Sequence, residues 1–287
     1  MRKNLFRKYL ALLIVIPMVL ALLGGCAQKS NQVPKENNQA EYNLKDLNEQ
    51  LVMATAWYQA AAEMRALSYQ AFNMAKVIFN NDLKINTSRE KRAVIVDVDE
   101  TVLDNSPYEA YLVDKNTAYP TGWDEWVNSA KAKALPGAID FLNYVVDNGG
   151  DVFYITNRKS HLEDSTIKNL KDLKFPQADA EHVLTRTDTS DKEPRRQNVD
   201  QTHRIVLLLG DNLNDFRSEF ADKGVKERFG VVDQYKDKFG SKFILLPNPM
   251  YGEWEGAIYD YKWDKSPEEK SQKRKEHLNQ WENPKQE

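Results

Sequence analysis

From Leu44 to about Asn80 the chain runs without proline or glycine, and apolar residues return every three or four positions. Leu44, Leu47, Leu51, Ala54, Tyr58 and Ala61 are followed by Met64, Leu67, Ala71, Met74 and Ile78. That period predicts an apolar stripe along a helix. Unbroken, it would be about 55 Å long at 1.5 Å per residue, so one break near the middle, giving two packed helices, is an equal expectation. The pattern then changes. Short apolar runs appear at Val94-Ile95-Val96, Val152–Ile155, Ile205–Leu209 and Phe243–Leu246, with a lesser one at His182–Leu184. Amphipathic stretches at Ala138–Val146 and Leu162–Leu173 lie between them. Buried strands alternating with helices predict an α/β fold, a doubly wound parallel sheet.

The first 26 residues follow a different rule. Residues 1–8 are basic, Tyr9–Leu23 is apolar, and Leu23-Gly24-Gly25-Cys26 follows. The run falls short of the roughly twenty residues that span a bilayer, and Pro17 interrupts it. A cleaved signal is therefore expected over a permanent anchor. Leu-Gly-Gly-Cys resembles the lipobox of bacterial lipoproteins, which implies acylation of Cys26 and an exported protein held on the outer face of a bacterial membrane. Two or more acyl chains anchor stably, at about 0.8 kcal/mol per buried CH₂. The expected organisation is a signal peptide (1–25), a polar tether (26–42), a folded domain (43–262) and a charged tail (263–287), read as a solvated helix with a frayed end.

Composition narrows the function. Cys26 is the single cysteine, which excludes an intramolecular disulfide and a cysteine-rich zinc site. The formal charge of −3 at pH 7, with four of the cations in residues 1–8, excludes non-specific wrapping of nucleic-acid polymers. With 287 residues and 41% hydrophobic content the chain can bury a full core. A homodimer is compatible with it.

The chemistry is written at the strand ends. Val94–Val96 runs into Asp97-Val98-Asp99-Glu100-Thr101; Val152–Ile155 runs into Thr156-Asn157-Arg158; Ile205–Leu209 runs into Gly210-Asp211-Asn212-Leu213-Asn214-Asp215. Lys192 lies in a polar stretch between the last two. An apolar strand cannot bury paired carboxylates cheaply, so the acids must emerge at the C-terminal edge, where open parallel sheets hold ligands. Two unit charges 4 Å apart repel by about 4 kcal/mol at an effective dielectric near 20. A hard divalent cation removes that problem, and Mg²⁺ needs only a few carboxylates because it keeps waters.

Asp97-Val-Asp99-Glu-Thr101, Thr156, Lys192 and Gly210-Asp211-Asn-Leu-Asn-Asp215 resemble the four ordered motifs of the haloacid dehalogenase superfamily. In longer form, Val-Asp-Val-Asp-Glu-Thr-Val-Leu-Asp-Asn-Ser and Leu-Gly-Asp-Asn-Leu-Asn-Asp-Phe resemble the bipartite signature of class C bacterial acid phosphatases, the lipoprotein 5′-nucleotidase family. The resemblance extends from Trp57 to Trp254. It implies a phosphatase with a small, mostly helical cap, drawn from 44–80 and 105–134, that hydrolyses phosphate monoesters such as nucleotides. It implies Asp97 as nucleophile, Asp99 as general acid–base, and Thr156 and Lys192 on the phosphoryl oxygens. Mg²⁺ would bind Asp97, the Asp99 backbone carbonyl and Asp211, with Asp215 in or just behind the ligand set.

An acid in the role of Asp99 needs a raised pKa, which favours activity below neutral pH. In that family an aromatic pair stacks the substrate's ring, a role carried here onto Trp123 and Tyr251. Asn157 and Arg158 are further candidate substrate contacts. The long helix is read as a structural element laid on the domain, with aromatic and amide residues that also permit a cap role. Thr101 is expected to order the loop around Asp99, and Glu100 has no assigned role. A non-catalytic surface lipoprotein and a phosphotransferase are the competing readings. The intact Asp97, Asp99, Thr156, Lys192 and Asp211 set argues against the first, and export into water argues against the second.

Overall fold

The computed structural model describes residues 42–85 and 87–281; Cys26, the signal segment and the tether up to Glu41 lie outside the described residues. The long apolar stripe is two helices, α1 (Leu44–Ala60) and α2 (Ala62–Ile85), separated at Ala61, whose backbone is extended (φ −76°, ψ 128°). The start of α1 is fixed by a reciprocal cap. Asn43 accepts from the Lys45 and Asp46 N–H groups, and the Asp46 carboxylate accepts from the Asn43 N–H.

The chain continues through β1 (Lys91–Val96), β2 (Leu103–Asp104), α3 (Ser106–Lys115), α4 (Trp123–Ser129), β3 (Lys133–Ala134) and α5 (Ala138–Asp147). Next come β4 (Gly150–Lys159), α6 (Glu163–Asp172), β5 (Val183–Arg186), α7 (Glu193–Asp200) and β6 (His203–Gly210). It closes with α8 (Val225–Gln234), β7 (Phe243–Leu245), α9 (Glu253–Ile258) and α10 (Pro267–Glu276).

Five strands form one parallel sheet in the order β5-β4-β1-β6-β7. The strands read as unbroken apolar runs because both faces are covered. Val94, Val96, Val152, Tyr154, Leu207 and Leu209 feed one core, beneath α2 and α5. Ala93, Ile95, Phe153, Ile155 and Leu208 feed a second, closed by Val199, Phe216 and Phe243. The chain builds outward from β1 in one direction and then returns to build in the other. The crevice at the C-terminal ends of β1, β4 and β6 is thus the switch point where such sheets place their ligands.

Two short strands carry the cap. β2 pairs antiparallel with β3, Leu103 opposite Ala134 and Asp104 opposite Lys133, so residues 105–132, with α3 and α4, leave and re-enter the domain at one stem. The two halves of the long stripe serve different parts. Asn48 of α1 donates to the Leu112 and Thr117 carbonyls at the end of α3 (3.2 and 3.1 Å), whereas α2 lies on the sheet layer, with Phe72 against Phe141 and Ser68 donating to the Pro136 carbonyl.

The charged tail is not the freely solvated helix expected. One face of α10 is docked. Gln50 of α1 donates to the buried Ser271 hydroxyl (2.8 Å), and Arg274 donates to Glu255 (2.6 Å), the Tyr259 hydroxyl (2.7 Å) and Gln50 (3.0 Å). Hydrogen bonds between polar groups make that contact, so no apolar stripe announces it. Among the described residues no helix is long and apolar enough to cross a membrane.

Candidate active site

Asp97 follows β1 directly and stays in register with β6, its N–H donating to the Leu209 carbonyl (2.9 Å). Its carboxylate is buried. One oxygen accepts from the Lys192 ammonium, the other from the Thr101 hydroxyl (3.2 Å). Thr101 therefore steadies Asp97 and not, as expected, the loop around Asp99. Lys192 is the residue before α7 and is buried between two acids, Asp97 and Asp215, the latter at 2.7 Å. Burial works against the ammonium charge, but the Asp215 and Asp97 carboxylates outweigh it and raise the lysine's pKa.

Asp215 is held from two sides. Its carboxylate accepts from the Asn212 N–H (2.9 Å), and its backbone carbonyl accepts from Arg196 (2.8 Å). Asp211, at the end of β6, accepts from the Asn248 amide (2.8 Å). Asp97, Asp211 and Asp215 each bring one carboxylate oxygen within 4.8 Å of the others. Burial, with the neighbouring Asp215 and Asp99 charges and against Lys192, pushes Asp97 up to about 7. Asp211 is pushed well above the usual carboxylate range by burial and by Asp215 and Asp97. Protons relieve the crowding when no cation is present.

Asp99 faces the other way. Arg158 forks onto one of its oxygens (Nη2 2.7 Å, Nε 2.9 Å), the Asn105 amide donates to it at 2.8 Å, and the Thr156 hydroxyl lies 3.4 Å away. Its side chain is no member of the carboxylate trio, which leaves only its backbone carbonyl for the metal role the resemblance implies. Four acids thus face two cations, Lys192 and Arg158. A divalent ion restores neutrality, and an all-oxygen donor set of three carboxylates suits a hard cation.

β4 runs to Lys159, four residues past the expected strand, so Thr156, Asn157 and Arg158 sit on the strand and not after it. Alternation puts Thr156 and Arg158 on one buried face and Asn157 on the exposed one. Arg158, expected to contact substrate, is buried and committed to Asp99, Asn105 and Thr166. Asn157 accepts from Arg195 (2.8 Å), whose guanidinium also donates to the Thr156 carbonyl (2.6 Å).

Trp123 opens α4 from the cap. Its half-buried ring is edge-on to Tyr108 (centroids 5.1 Å) and Tyr119 (5.9 Å), with the Arg158 guanidinium 5.6 Å from it. Tyr251, from the loop before α9, is half-buried and its hydroxyl donates to Glu100. Glu100 is fully buried. Burial, with Asp99 and Asp211 nearby, pushes its carboxyl well above the ordinary range. Tyr58 of α1 reaches the same place, its hydroxyl 3.5 Å from the Glu100 carbonyl.

The family model of the HAD superfamily, subfamily IIIB (acid phosphatase), matches residues 20–254. The chain belongs to that family. It is a phosphoric monoester hydrolase, an acid phosphatase acting on phosphate monoesters. Its fold is similar to that of the class C acid phosphatase from Bacillus anthracis, with a TM-score of 0.80 and 48% identity over 82% of this chain and 99% of that one. A second structure of the Bacillus protein, with tungstate bound, matches at a TM-score of 0.79. More distant relatives are a stem 31 kDa glycoprotein of Glycine max, 27% identical over 72% of this chain and 76% of that protein, and acid phosphatase 1 of Solanum lycopersicum, 28% identical over 55% and 57%.

In this acid phosphatase the crevice assembles Asp97, Asp99, Thr156, Lys192, Asp211 and Asp215, with Trp123 and Tyr251 contributed by the cap and by the loop before α9. Asn105, Arg195, Asn248 and Tyr58 also reach the site, and none of them has an assigned catalytic or binding role from sequence. Asn105 alone carried a signal, since an amide directly after the β2 acid can reach back to the preceding loop.

Proposed function

We propose that this acid phosphatase is a Mg²⁺-dependent phosphomonoesterase for nucleotides and related ring-bearing esters, working through an aspartyl-phosphate on Asp97. The observation that carries the reading is the Lys192 ammonium shared between Asp97 and Asp215, beside the oxygen cluster completed by Asp211. The fixed cation keeps the Asp97 carboxylate oriented, and Asp211 and Asp215 would hold Mg²⁺ with it. Bound there, Mg²⁺ would offset the repulsion between an anionic nucleophile and a phosphate dianion.

An Asp97 oxygen attacks phosphorus, the ester P–O bond breaks, and the leaving alkoxide takes a proton from Asp99. Asp99 then removes a proton from water. The water oxygen forms the new P–O bond, the Asp97–phosphorus bond breaks, and inorganic phosphate leaves. Arg158 and Asn105 hold Asp99 in one orientation for both proton transfers. Thr156 and Lys192 stabilise the phosphoryl oxygens. Trp123 and Tyr251 flank the leaving group's ring.

The Bacillus relative binds tungstate, a tetrahedral oxyanion like phosphate, which supports the reading that this fold takes such an oxyanion. We further propose that Cys26 is acylated and tethers the enzyme to the outer face of a membrane; Cys26→Ser would release it into the soluble fraction, and retention in the membrane would refute the anchor. The catalytic reading is tested by hydrolysis of an aryl phosphate and of a nucleotide with Mg²⁺ or EDTA. Asp97→Asn is assayed beside them, and activity surviving in it would refute the aspartyl-phosphate.

A further inference from the structure

Glu100 is a buried acid beside the catalytic loop that the proposed phosphatase chemistry leaves unused. It sits at φ +54° in the tight loop between Asp99 and β2, with no exposed surface. A carboxylate is costly to bury as an ion, and a charged partner is the usual compensation. Among the described residues Glu100 has none. Its contacts are neutral: the Asn105 N–H (2.6 Å), the Asn105 side-chain amide (3.4 Å) and the Tyr251 hydroxyl. An apolar residue of similar size would fill the space at lower cost, so the contacts themselves must be what the acid supplies.

Those contacts lead to both sides of the leaving-group pocket. Asn105 donates to Asp99 (2.8 Å) and accepts from the Trp126 indole N–H (2.8 Å) and from Arg158 (3.3 Å). Trp126 lies on α4, the cap helix that Trp123 opens. Only two side chains, Glu100 and Asn105, therefore separate the Tyr251 ring from the proton-carrying Asp99. The same two tie the Tyr251 loop to the cap.

We infer that Glu100 is a positioning residue that fixes the Tyr251 wall relative to Asp99 and the cap, and so sets the preference for leaving groups that carry a flat ring. This rests on the reading of Tyr251 as a wall of the substrate pocket. A loose wall costs ring-bearing esters their oriented binding and leaves small alkyl esters, which never touch it, with less to lose.

The test compares AMP with ethyl phosphate in the Mg²⁺-loaded enzyme, with kcat and KM measured separately. Glu100→Ala is expected to lower the AMP-to-ethyl-phosphate ratio of kcat/KM about tenfold, mostly through KM for AMP. Tyr251→Phe, which deletes one hydroxyl and keeps the ring, is expected to lower it about fivefold, the usual worth of one hydrogen bond. The double variant should be no worse than Glu100→Ala alone. Glu100→Gln, whose amide can still meet both partners, should restore most of the ratio.

A ratio within twofold of the parent in Glu100→Ala and Tyr251→Phe, while Tyr251→Leu lowers it, overturns the inference and leaves the wall reading standing. If Tyr251→Leu also leaves the ratio intact, the wall reading falls and the inference with it. An equal loss of kcat on both substrates without a change in KM makes Glu100 a loop brace only, which also overturns it. Should Glu100→Ala fail to fold, Tyr251→Phe decides, since it removes a single atom from a half-exposed ring.

Discussion

Gly210 closes β6 directly beneath Asp215: a Cβ on Gly210 would stand 2.3 Å from the Asp215 Oδ2 and 2.5 Å from its Cβ. Both are far inside contact distance, and the obstacle is a carboxylate that is itself buried and paired with Lys192. Gly210→Ala must therefore push Asp215 aside and loosen the Lys192 bridge. Overpacking of this kind costs about 1–3 kcal/mol, roughly 2–10 °C of Tm for a domain of this size. Hydrolysis of p-nitrophenyl phosphate should fall at least tenfold. A variant with parental kcat and Tm would show that the loop after β6 shifts freely.

Lys192 holds two acids, so its removal leaves both without a partner. Breaking a buried pair from one side costs about 3–5 kcal/mol, and here the charges left behind lie in the metal cluster. If Lys192 stabilises the phosphoryl oxygens as proposed, Lys192→Met should lose at least a hundredfold in kcat. Its thermal destabilisation should be larger in EDTA than with saturating Mg²⁺, since the ion offsets part of the lost positive charge. Equal destabilisation in the two conditions would place Lys192 outside the electrostatic unit formed with Asp97 and Asp215.

Removing the metal has a pH dependence whose sign follows from the raised carboxyls. In the unfolded chain Asp97 and Asp211 titrate near the ordinary value, about 4. In the metal-free fold Asp97 is pushed up to about 7, and Asp211 is raised as well. Between those values the folded state binds more protons than the unfolded one, so the metal-free protein loses stability as pH rises from about 4 through 7. A divalent ion competes with those same protons. The Tm gained on adding Mg²⁺ to the EDTA-treated enzyme should therefore widen from pH 5 to pH 8. A gap that narrows over that range would contradict the assignment of these carboxylates to the metal.

The sheet and the meeting of the strand-end acids were legible because each is encoded locally. An apolar run ending in Asp97, Thr156 or Asp211 announces a strand and its functional end in a few consecutive residues, and parallel pairing then forces those ends together. What could not be read is set by partners far away in the chain. Arg158 and Asp99 are 59 positions apart, and Tyr251 and Glu100 are 151 apart; no period or motif connects them. The same is true of Arg195, whose four acceptors come from β4, β5 and the loop before Lys192. From sequence Arg158 is a candidate substrate contact. Strand alternation turns it inward instead, onto Asp99. The break at Ala61 was visible only as a helix too long for the domain it covers.

Trp123 makes a clean test of the cap because two effects of its ring, on substrate and on Arg158, can be separated. If it stacks on the leaving group's ring, its loss should raise KM for AMP by ten- to a hundredfold, since base stacking is worth about 1–3 kcal/mol. KM for ethyl phosphate should change little. The ring also lies 5.6 Å from the Arg158 guanidinium that holds Asp99. Trp123→Ala could therefore lower kcat on every substrate by freeing Arg158, an effect unrelated to stacking. Trp123→Leu separates the two, because it keeps apolar bulk over Arg158 and removes the aromatic face. A KM rise for AMP in both variants, with kcat recovered in Trp123→Leu, assigns the ring to substrate and the bulk to Arg158. Equal losses on AMP and ethyl phosphate in both variants would make Trp123 a packing residue of the cap, held edge-on by Tyr108 and Tyr119.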